Sequence, residues 1–414
     1  MPIRRRAERP VLPSLTFRGW ALLTGALISA IVAYASGWRE LLFIGLTLVL
    51  VVAGALVVVG SRPTGVRVRR RLTPAIVGTG DDVGVGVEVV NTSWIPLAGV
   101  AWADVVPVDL RGDSGGRLPA LAPRGRSSSR ARLEYSVVAT RRGLVTVGPL
   151  ALRATDPFGL CRHDSTVGET DELIVLPRIE RLDGGMLATS GATDSAVRAA
   201  MAGRGQDDVI AREYRTGDAL RHVHWRATAH RGELMVRQEQ RQDEARAVVL
   251  LDNRRDAWRS TAAFEWAVAF AASVVVHLSS EVAGVDLVLT APDAAAPGTD
   301  TGNRDRSARE VLLDLATVIR RVPGRSESHL RELDRIVTDA GAPLVAVMGD
   351  IGSGEWREIA ARRGARGSGI AVFVDPTEVP LSAWGGGWQV ASVEDPATAM
   401  ESVWRGVASG VLRG

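Results

Sequence analysis

The sequence predicts a multidomain protein built from an N-terminal transmembrane α-helical hairpin, a β-sandwich-like domain and a C-terminal, doubly wound α/β domain. Three observations predict it. Two charge-free apolar runs stand close together near the start. Apolar and polar residues then alternate at a spacing of two between turn signals. From residue 245 onward, short apolar runs alternate with amphipathic stretches, as in a mostly parallel sheet covered by helices.

The apolar runs cover 20–36 and 41–59. At about 1.5 Å per residue each spans roughly 25–29 Å, close to a bilayer's hydrocarbon thickness. Only Gly37-Trp38-Arg39-Glu40 separates them, so they read as a hairpin occupying 20–60. Arg4, Arg5, Arg6, Arg9 and Arg18 precede it, within or beside a basic N-terminus at 1–19. Arg62, Arg67, Arg69, Arg70 and Arg71 follow it. Arg39 and Glu40 in the turn cancel. Both termini are therefore expected on the cytoplasmic side of the plasma membrane, with the basic flanks near anionic lipid headgroups. A cleaved signal peptide ending near Ala33-Tyr34-Ala35 would leave the second run unexplained.

The β-sandwich-like domain is expected over 61–178. Its strand candidates are 66–71, 83–90, 99–106, 131–138, 144–147 and 173–176. Thr79-Gly80-Asp81-Asp82, the run 111–116 and Arg141-Arg142-Gly143 supply turns, and 155–160 reads as a turn between strands.

Composition removes several chemistries. All 50 basic residues are arginines, so no phosphate-loop lysine, Schiff-base lysine or kinase strand lysine exists. The single cysteine, Cys161, excludes an intrachain disulfide and a thiolate cluster, and fits a reducing compartment. No nucleophile elbow, zincin helix, dinucleotide turn or pair of catalytic carboxylates stands at workable spacing. No catalytic residue and no cofactor is assigned.

A connecting segment, 179–244, holds the most unusual stretch, REYRTGDALRHVHWRATAHRGELMVRQ at 212–238. The stretch 188–192 reads as loop and 195–202 as a short helix. His222 and His224 would share one side of an extended chain, half a metal site at best. The arginines and aromatics suit either a polar clasp, with Arg212 and Arg221 pairing Glu213 or Asp218 over Trp225, or a docking surface.

This run resembles the signature of the bacterial domain-of-unknown-function 58 family. Arg212, Glu213, Tyr214, Gly217, Asp218, Arg221, Trp225, Leu234 and Val236 fall on its pattern. So do the upstream Arg142-Gly143, Gly148-Pro149 and Asp156-Pro157-Phe158-Gly159-Leu160. His224, Arg226 and Thr216 depart from it, standing where the family usually has Asp, Lys and Pro. The candidate binding residues, structural or docking, are Arg212, Glu213, Tyr214, Gly217, Asp218, Arg221, Trp225 and Arg226.

In the α/β domain, 245–414, strands are expected at 247–251, 285–290, 343–348 and 370–374. Helices are expected at 260–279, 307–320 (Ile319 on its apolar face), 330–340, 356–363 and 397–407, with a polar loop at 291–306. Asp252, Thr290, Asp350 and Asp375 follow the strands, at the sheet's ligand-binding edge. The resemblance implies a von Willebrand factor A-like domain, whose metal site is Asp-x-Ser-x-Ser. Here the stretch is Asp252-Asn253-Arg254-Arg255-Asp256, which lacks both serines. A weak metal remnant at Asp252 and Asp350 is the most it offers, and the arginines are expected to pair with the aspartates.

The resemblance also implies a partner, a MoxR-type AAA+ ATPase, for a non-enzymatic membrane-anchored scaffold or adaptor in a chaperone-like or assembly role. The alternative is a divalent-metal-dependent sensor or enzyme using the carboxyl-end loops. Charge argues against nucleic acid. Residues 1–71 hold eleven arginines against Glu8 and Glu40, a charge of +9, so the rest of the chain carries −6 to reach the overall +3. An acidic body does not favour phosphate-backbone binding.

Overall fold

The computed structural model describes residues 13–60, 65–184, 210–213, 233, 235–238, 246–291, 306–322, 343–362, 369–384 and 387–408, with backbone alone at 210–213 and 235–238. The chain divides into two compact units, Met1–Leu176 and Pro177–Gly414.

The first unit begins with two long helices, α1 (Phe17–Ser36) and α2 (Arg39–Gly60). The Thr16 hydroxyl caps α1 by accepting the Gly19 N–H, and Gly37 ends it in the left-handed conformation with its N–H bonded to the Ala33 carbonyl. Small buried residues recur every seven positions, Gly19, Ala26 and Ala33 on α1. On α2 the buried set is Gly45, Val52, Ala55 and Val59. That seam lets the helices approach closely along one line. Ser29 Oγ donates across it to the Leu41 carbonyl at 2.7 Å. Leu27, Ile31, Phe43 and Leu50 point outward, exposed. Both helices are long and apolar enough to cross a membrane, and only 17% and 22% of their apolar windows are buried.

The base of this pair rests on the β region. Thr16 N donates to the Leu160 carbonyl at 2.8 Å, and its hydroxyl donates to the Gly159 carbonyl at 2.6 Å. Val52, Ala55, Val59, Leu160 and Cys161 form one buried cluster. The expected turn at 155–160 thus doubles as the joint between helices and sheet.

Three sheets share one core. The first is β2 (Val66–Thr73), β4 (Asp82–Asn91), β8 (Arg130–Ala139) and β6 (Leu110–Arg111), antiparallel in that order. The second runs β1 (Ser14–Leu15), β11 (Cys161–Val167), β10 (Leu150–Thr155), β5 (Val100–Asp104) and β7 (Gly115–Arg117). The third places β12 (Asp171–Leu176) between β3 (Ile76–Gly78) and β9 (Gly143–Val147). Strict alternation in β4 sends Val83, Val85, Val87 and Val89 inward to meet Trp102, Leu150, Leu152 and Leu173. The expected turn at 111–116 is a correction: β6 and β7 occupy its two ends.

Arg70 corrects the expected lipid-facing flank. Its neighbours Arg69 and Arg71 are exposed, but its own side chain is 1% exposed, inside the core. Nε and Nη2 grip Asp104 at 2.8 and 2.6 Å, and Nη1 reaches Asp171 at 2.8 Å. Tyr135 donates its hydroxyl to the same Asp104 at 2.6 Å. Burial lowers the Arg70 pKa, but Asp104 and then Asp171 outweigh it and hold the guanidinium above its ordinary value. Gly148, with φ of 99°, passes so close that a Cβ there would lie 2.5 Å from the guanidinium.

The second unit is a parallel α/β sheet in the order β16 (Gly284–Leu289), β15 (Arg246–Leu251), β17 (Leu344–Met348), β18 (Gly369–Val374), β19 (Trp388–Val393). Both faces are covered. Val249, Leu251, Val345 and Val347 join α3 (Thr261–Leu278), α4 (Ala308–Thr317) and α6 (Met400–Ala408) in one core. Val248, Leu250, Ala346 and Phe373 join Trp356 and Ile359 of α5 (Ser353–Arg362) in the other. The chain enters this unit early, with Leu182 buried in the first core and Glu180 N bonded to Ser273 Oγ at 2.9 Å.

Helix α4 stops at Thr317, three residues short of expectation. Val318 turns to an extended ψ of 128°, and the chain then forms a parallel bridge from Arg321 to Arg254. Ile319 is consequently exposed, contrary to its expected place on a buried face. The expected elements at 188–192, 195–202 and 330–340, and most of the loop at 291–306, lie outside the described residues.

Candidate functional site

The strand order 2-1-3-4-5 puts a topological switch between β15 and β17, and the crevice at their carboxyl ends is where such sheets take ligands. Asp252 follows β15 and Asp350 follows β17, so the sequence-predicted pair flanks that switch. The loop after β15 folds across both strand ends. Asp350 N donates to the Ala257 carbonyl at 2.8 Å, and a Cβ on Gly349 would lie 2.1 Å from that same oxygen. Only glycine allows this approach. Asn253, buried, bonds the Ala291 backbone through both Nδ2 (2.8 Å) and Oδ1 (2.7 Å), tying in the end of β16.

Asp252 is wholly buried. Its Oδ1 accepts from Thr290 Oγ1 at 2.7 Å, Arg254 N at 3.1 Å and Arg254 Nε at 3.0 Å. Its Oδ2 accepts from Arg254 Nη2 at 2.8 Å. The guanidinium continues outward, with Nη1 on Glu355 at 2.9 Å and Nη2 on the Asp350 carbonyl at 3.3 Å. Burial lowers the Arg254 pKa, but the bonds and charge of Asp252, then of Glu355, raise it above its ordinary value. The arginine is a permanent cation at the mouth of the crevice.

The residues present do not fit a divalent metal. Both Asp252 oxygens are engaged by a guanidinium whose charge would repel the ion, and Asp350 turns its carboxylate away to the Thr377 N–H and hydroxyl, the latter at 2.6 Å. Among the described residues, no three His, Cys, Asp or Glu side chains converge as a ligand set. Asp375, with φ of 48°, stands at the end of β18 and lies 3.9 Å from Arg259 Nη1. The expected arginine–aspartate pairing is therefore present, made by Arg254. The sequence reading missed Glu355 and Thr377. Glu355 carried one weak signal, an acid in the first turn of a helix.

The signature segment is described only at its ends. Arg212 and Glu213 lie on β13 (Ile210–Glu213), antiparallel to β14 (Met235–Gln238), with Arg212 opposite Val236 and Glu213 opposite Met235. The two ends of the motif are thus hydrogen-bonded neighbours. Tyr214, Gly217, Asp218, Arg221, Trp225 and Arg226, with His222, His224 and the expected clasp, lie outside the described residues. Upstream, Phe158 at the tip of the Asp156–Leu160 turn is 68% exposed.

No curated protein matches the chain. Among solved structures, it is similar to the Pseudomonas fluorescens alkylpurine DNA glycosylase AlkC bound to DNA containing an abasic site analog, at 13% identity and a TM-score of 0.19, covering 38% of this chain and 43% of that one. It is also similar to Spo0M, a sporulation control protein from Bacillus subtilis, at 12% identity and a TM-score of 0.16, covering 34% and 57%. The chain spans about half the length of each, and likenesses this low carry no argument. Residues 210–403 match the model of a family described as Protein of unknown function DUF58.

Proposed function

We propose that the protein is a non-enzymatic, membrane-anchored scaffold or adaptor at the cytoplasmic face of the plasma membrane. It works with a MoxR-type AAA+ ATPase in a chaperone-like or assembly role. Helices α1 and α2 cross the bilayer as a two-pass hairpin with both termini cytoplasmic, and the α/β unit is a von Willebrand factor A-like domain. The partner is drawn from the family resemblance. The observation that carries the non-catalytic part is Arg254 in the carboxyl-end crevice. A site whose central carboxylate is neutralised from within presents a fixed polar surface without an ion, which suits docking better than hydrolysis or redox work.

The rival reading, a divalent-metal-dependent sensor or enzyme, would have to displace that guanidinium from a buried aspartate. Crosslinking and co-purification from native membranes, with nucleotide present, tests the adaptor. Recovery of an AAA+ ATPase in stoichiometric amount is the expected result; recovery of the protein alone would defeat the proposal.

A further inference from the structure

Strand register places several loops of the first unit at one end. β2 begins six residues after α2 ends, and Val66 pairs with Asn91, the last residue of β4. β8 begins opposite that same end, Arg130 facing Val90. β10 finishes and β11 begins beside the base of α2. The loops 92–99, 118–129 and 156–160 therefore all gather at the helix-bearing end. Cross-bonds confirm the gathering: Thr92 N donates to the Gly65 carbonyl at 2.6 Å, and Arg124 N to the Ser93 carbonyl at 2.8 Å.

That end is both apolar and basic. Trp94 is 79% exposed, and Ile95 and Phe158 are exposed as well. Arg67, Arg117, Arg124, Arg126, Arg130 and Arg162 lie on these loops and the adjoining strand ends, all exposed, with Arg130 3.7 Å from Glu88 on β4. Arg124 lies over the Trp94 ring, 5.9 Å from its centroid. Among the described residues of the three loops the one carboxylate is Asp156. It is buried, and accepts from the Phe158 and Cys161 N–H groups. At the opposite end of β4 and β8 the charge is mixed, with Asp81, Asp82 and Asp109 beside Arg111 and Arg141.

Exposed indole and phenyl rings set among arginines match the chemistry of a membrane interface, where rings rest at headgroup level and arginines meet anionic phosphates. Leu160 and Cys161 are buried against Val52, Ala55 and Val59 of α2, so this end stays at the bilayer surface if α2 spans it. We propose that the helix-bearing end of the β domain is a third membrane contact. Trp94, Ile95 and Phe158 sit in the interfacial layer, and the surrounding arginines bind anionic phospholipid headgroups of the same bilayer. This rests on the reading of α1 and α2 as membrane spans, and it makes the β domain lie on the membrane instead of hanging from it.

Cys161 is buried, so an introduced cysteine labels alone. The full chain is placed in nanodiscs of phosphatidylcholine and phosphatidylglycerol containing spin-labelled lipid. A fluorophore is attached at Trp94→Cys, Phe158→Cys, Asp109→Cys or Leu46→Cys. Position 46 reports whether α2 inserts. Lipid quenching at 94 and 158 about threefold above that at 109, with strong quenching at 46, is expected for interfacial residues. Quenching at 46 with 94 and 158 no higher than 109 would overturn this proposal alone. Absence of quenching at 46 would overturn the membrane reading and this proposal together. In phosphatidylcholine-only discs quenching at 94 falls; if it is unchanged, the arginines do not bind anionic headgroups.

Discussion

Arg70 and Arg254 grip buried aspartates with the same bidentate geometry, yet they serve different ends. Arg70 is 1% exposed and spends its donors on Asp104, Asp171 and two backbone carbonyls inside the β domain. Arg254 is 15% exposed and reaches from Asp252, inside, to Glu355, whose side chain is 61% exposed. The first is a pin between strands, itself out of solvent, with only its partner Asp171 (43% exposed) at the surface. The second closes a crevice that the sheet topology would otherwise open to ligands. Depth, more than pairing chemistry, separates a structural arginine from one that defines a surface.

Breaking the pin should have the larger effect. Arg70→Met leaves Asp104 buried beside Tyr135 alone, and an orphaned buried charge costs about 3–5 kcal/mol. Denaturant unfolding of the full chain in detergent should show that loss in the transition of the unit that holds the β sheets around Arg70. Gly148→Ala, which forces a Cβ against the Arg70 guanidinium, should fall in the same direction.

Arg254→Ser comes next. Thr290 and the backbone still serve Asp252, so the cost should be smaller, about 2–3 kcal/mol, confined to the α/β unit. A gain of weak divalent binding should accompany it. An Arg254→Ser chain that loses as much stability as Arg70→Met would show that the two arginines do not differ as described.

Glu355→Gln touches only the exposed end of the clamp. Solvent screens that pair, so the change should stay below about 1 kcal/mol and leave melting near wild type.

The smallest effect concerns His277 at the end of α3, whose Nε2 lies 3.3 Å from Glu281. Glu281 raises its pKa above the ordinary value, against the lowering by burial. A folded-state pKa raised this way contributes stability that is complete below about pH 6.5 and is lost as pH rises through the folded value. Melting of wild type against His277→Gln should therefore differ most in mild acid and converge at alkaline pH.

Much of this architecture was legible because the burial pattern is regular. Charge-free runs marked α1 and α2, and alternating valines marked β4. The strands β17 and β18 are apolar throughout, and β15 is apolar after Arg246, since helices cover both faces. The illegible parts lack such patterns. β11, CRHDSTV, pairs on both edges but buries only its ends, so polar residues hide it. Arg70 looked like one more flanking arginine, because period two cannot tell a buried cation from an exposed one when Arg69, Arg70 and Arg71 are identical. Helix α3 is mostly apolar and long enough to cross a membrane, yet 72% of its apolar window is buried by its own unit. At the site, Asp252, Thr290 and Asp350 followed from strand ends and the Arg254 pairing from charge. Thr377 arrives from the loop after β18 and Glu355 from the first turn of α5, both distant in sequence from Asp252, and only the helix start gives Glu355 a weak local signal.

Arg254 makes the carboxyl-end crevice one closed by its own cation. Calorimetric titration of the full chain with Mg²⁺, Mn²⁺ and Zn²⁺, wild type beside Arg254→Ser, tests it most directly. No saturable heat and an unchanged melting temperature are expected for wild type, with weak binding appearing only in the variant. Saturable binding to wild type that disappears in Asp252→Asn would contradict it.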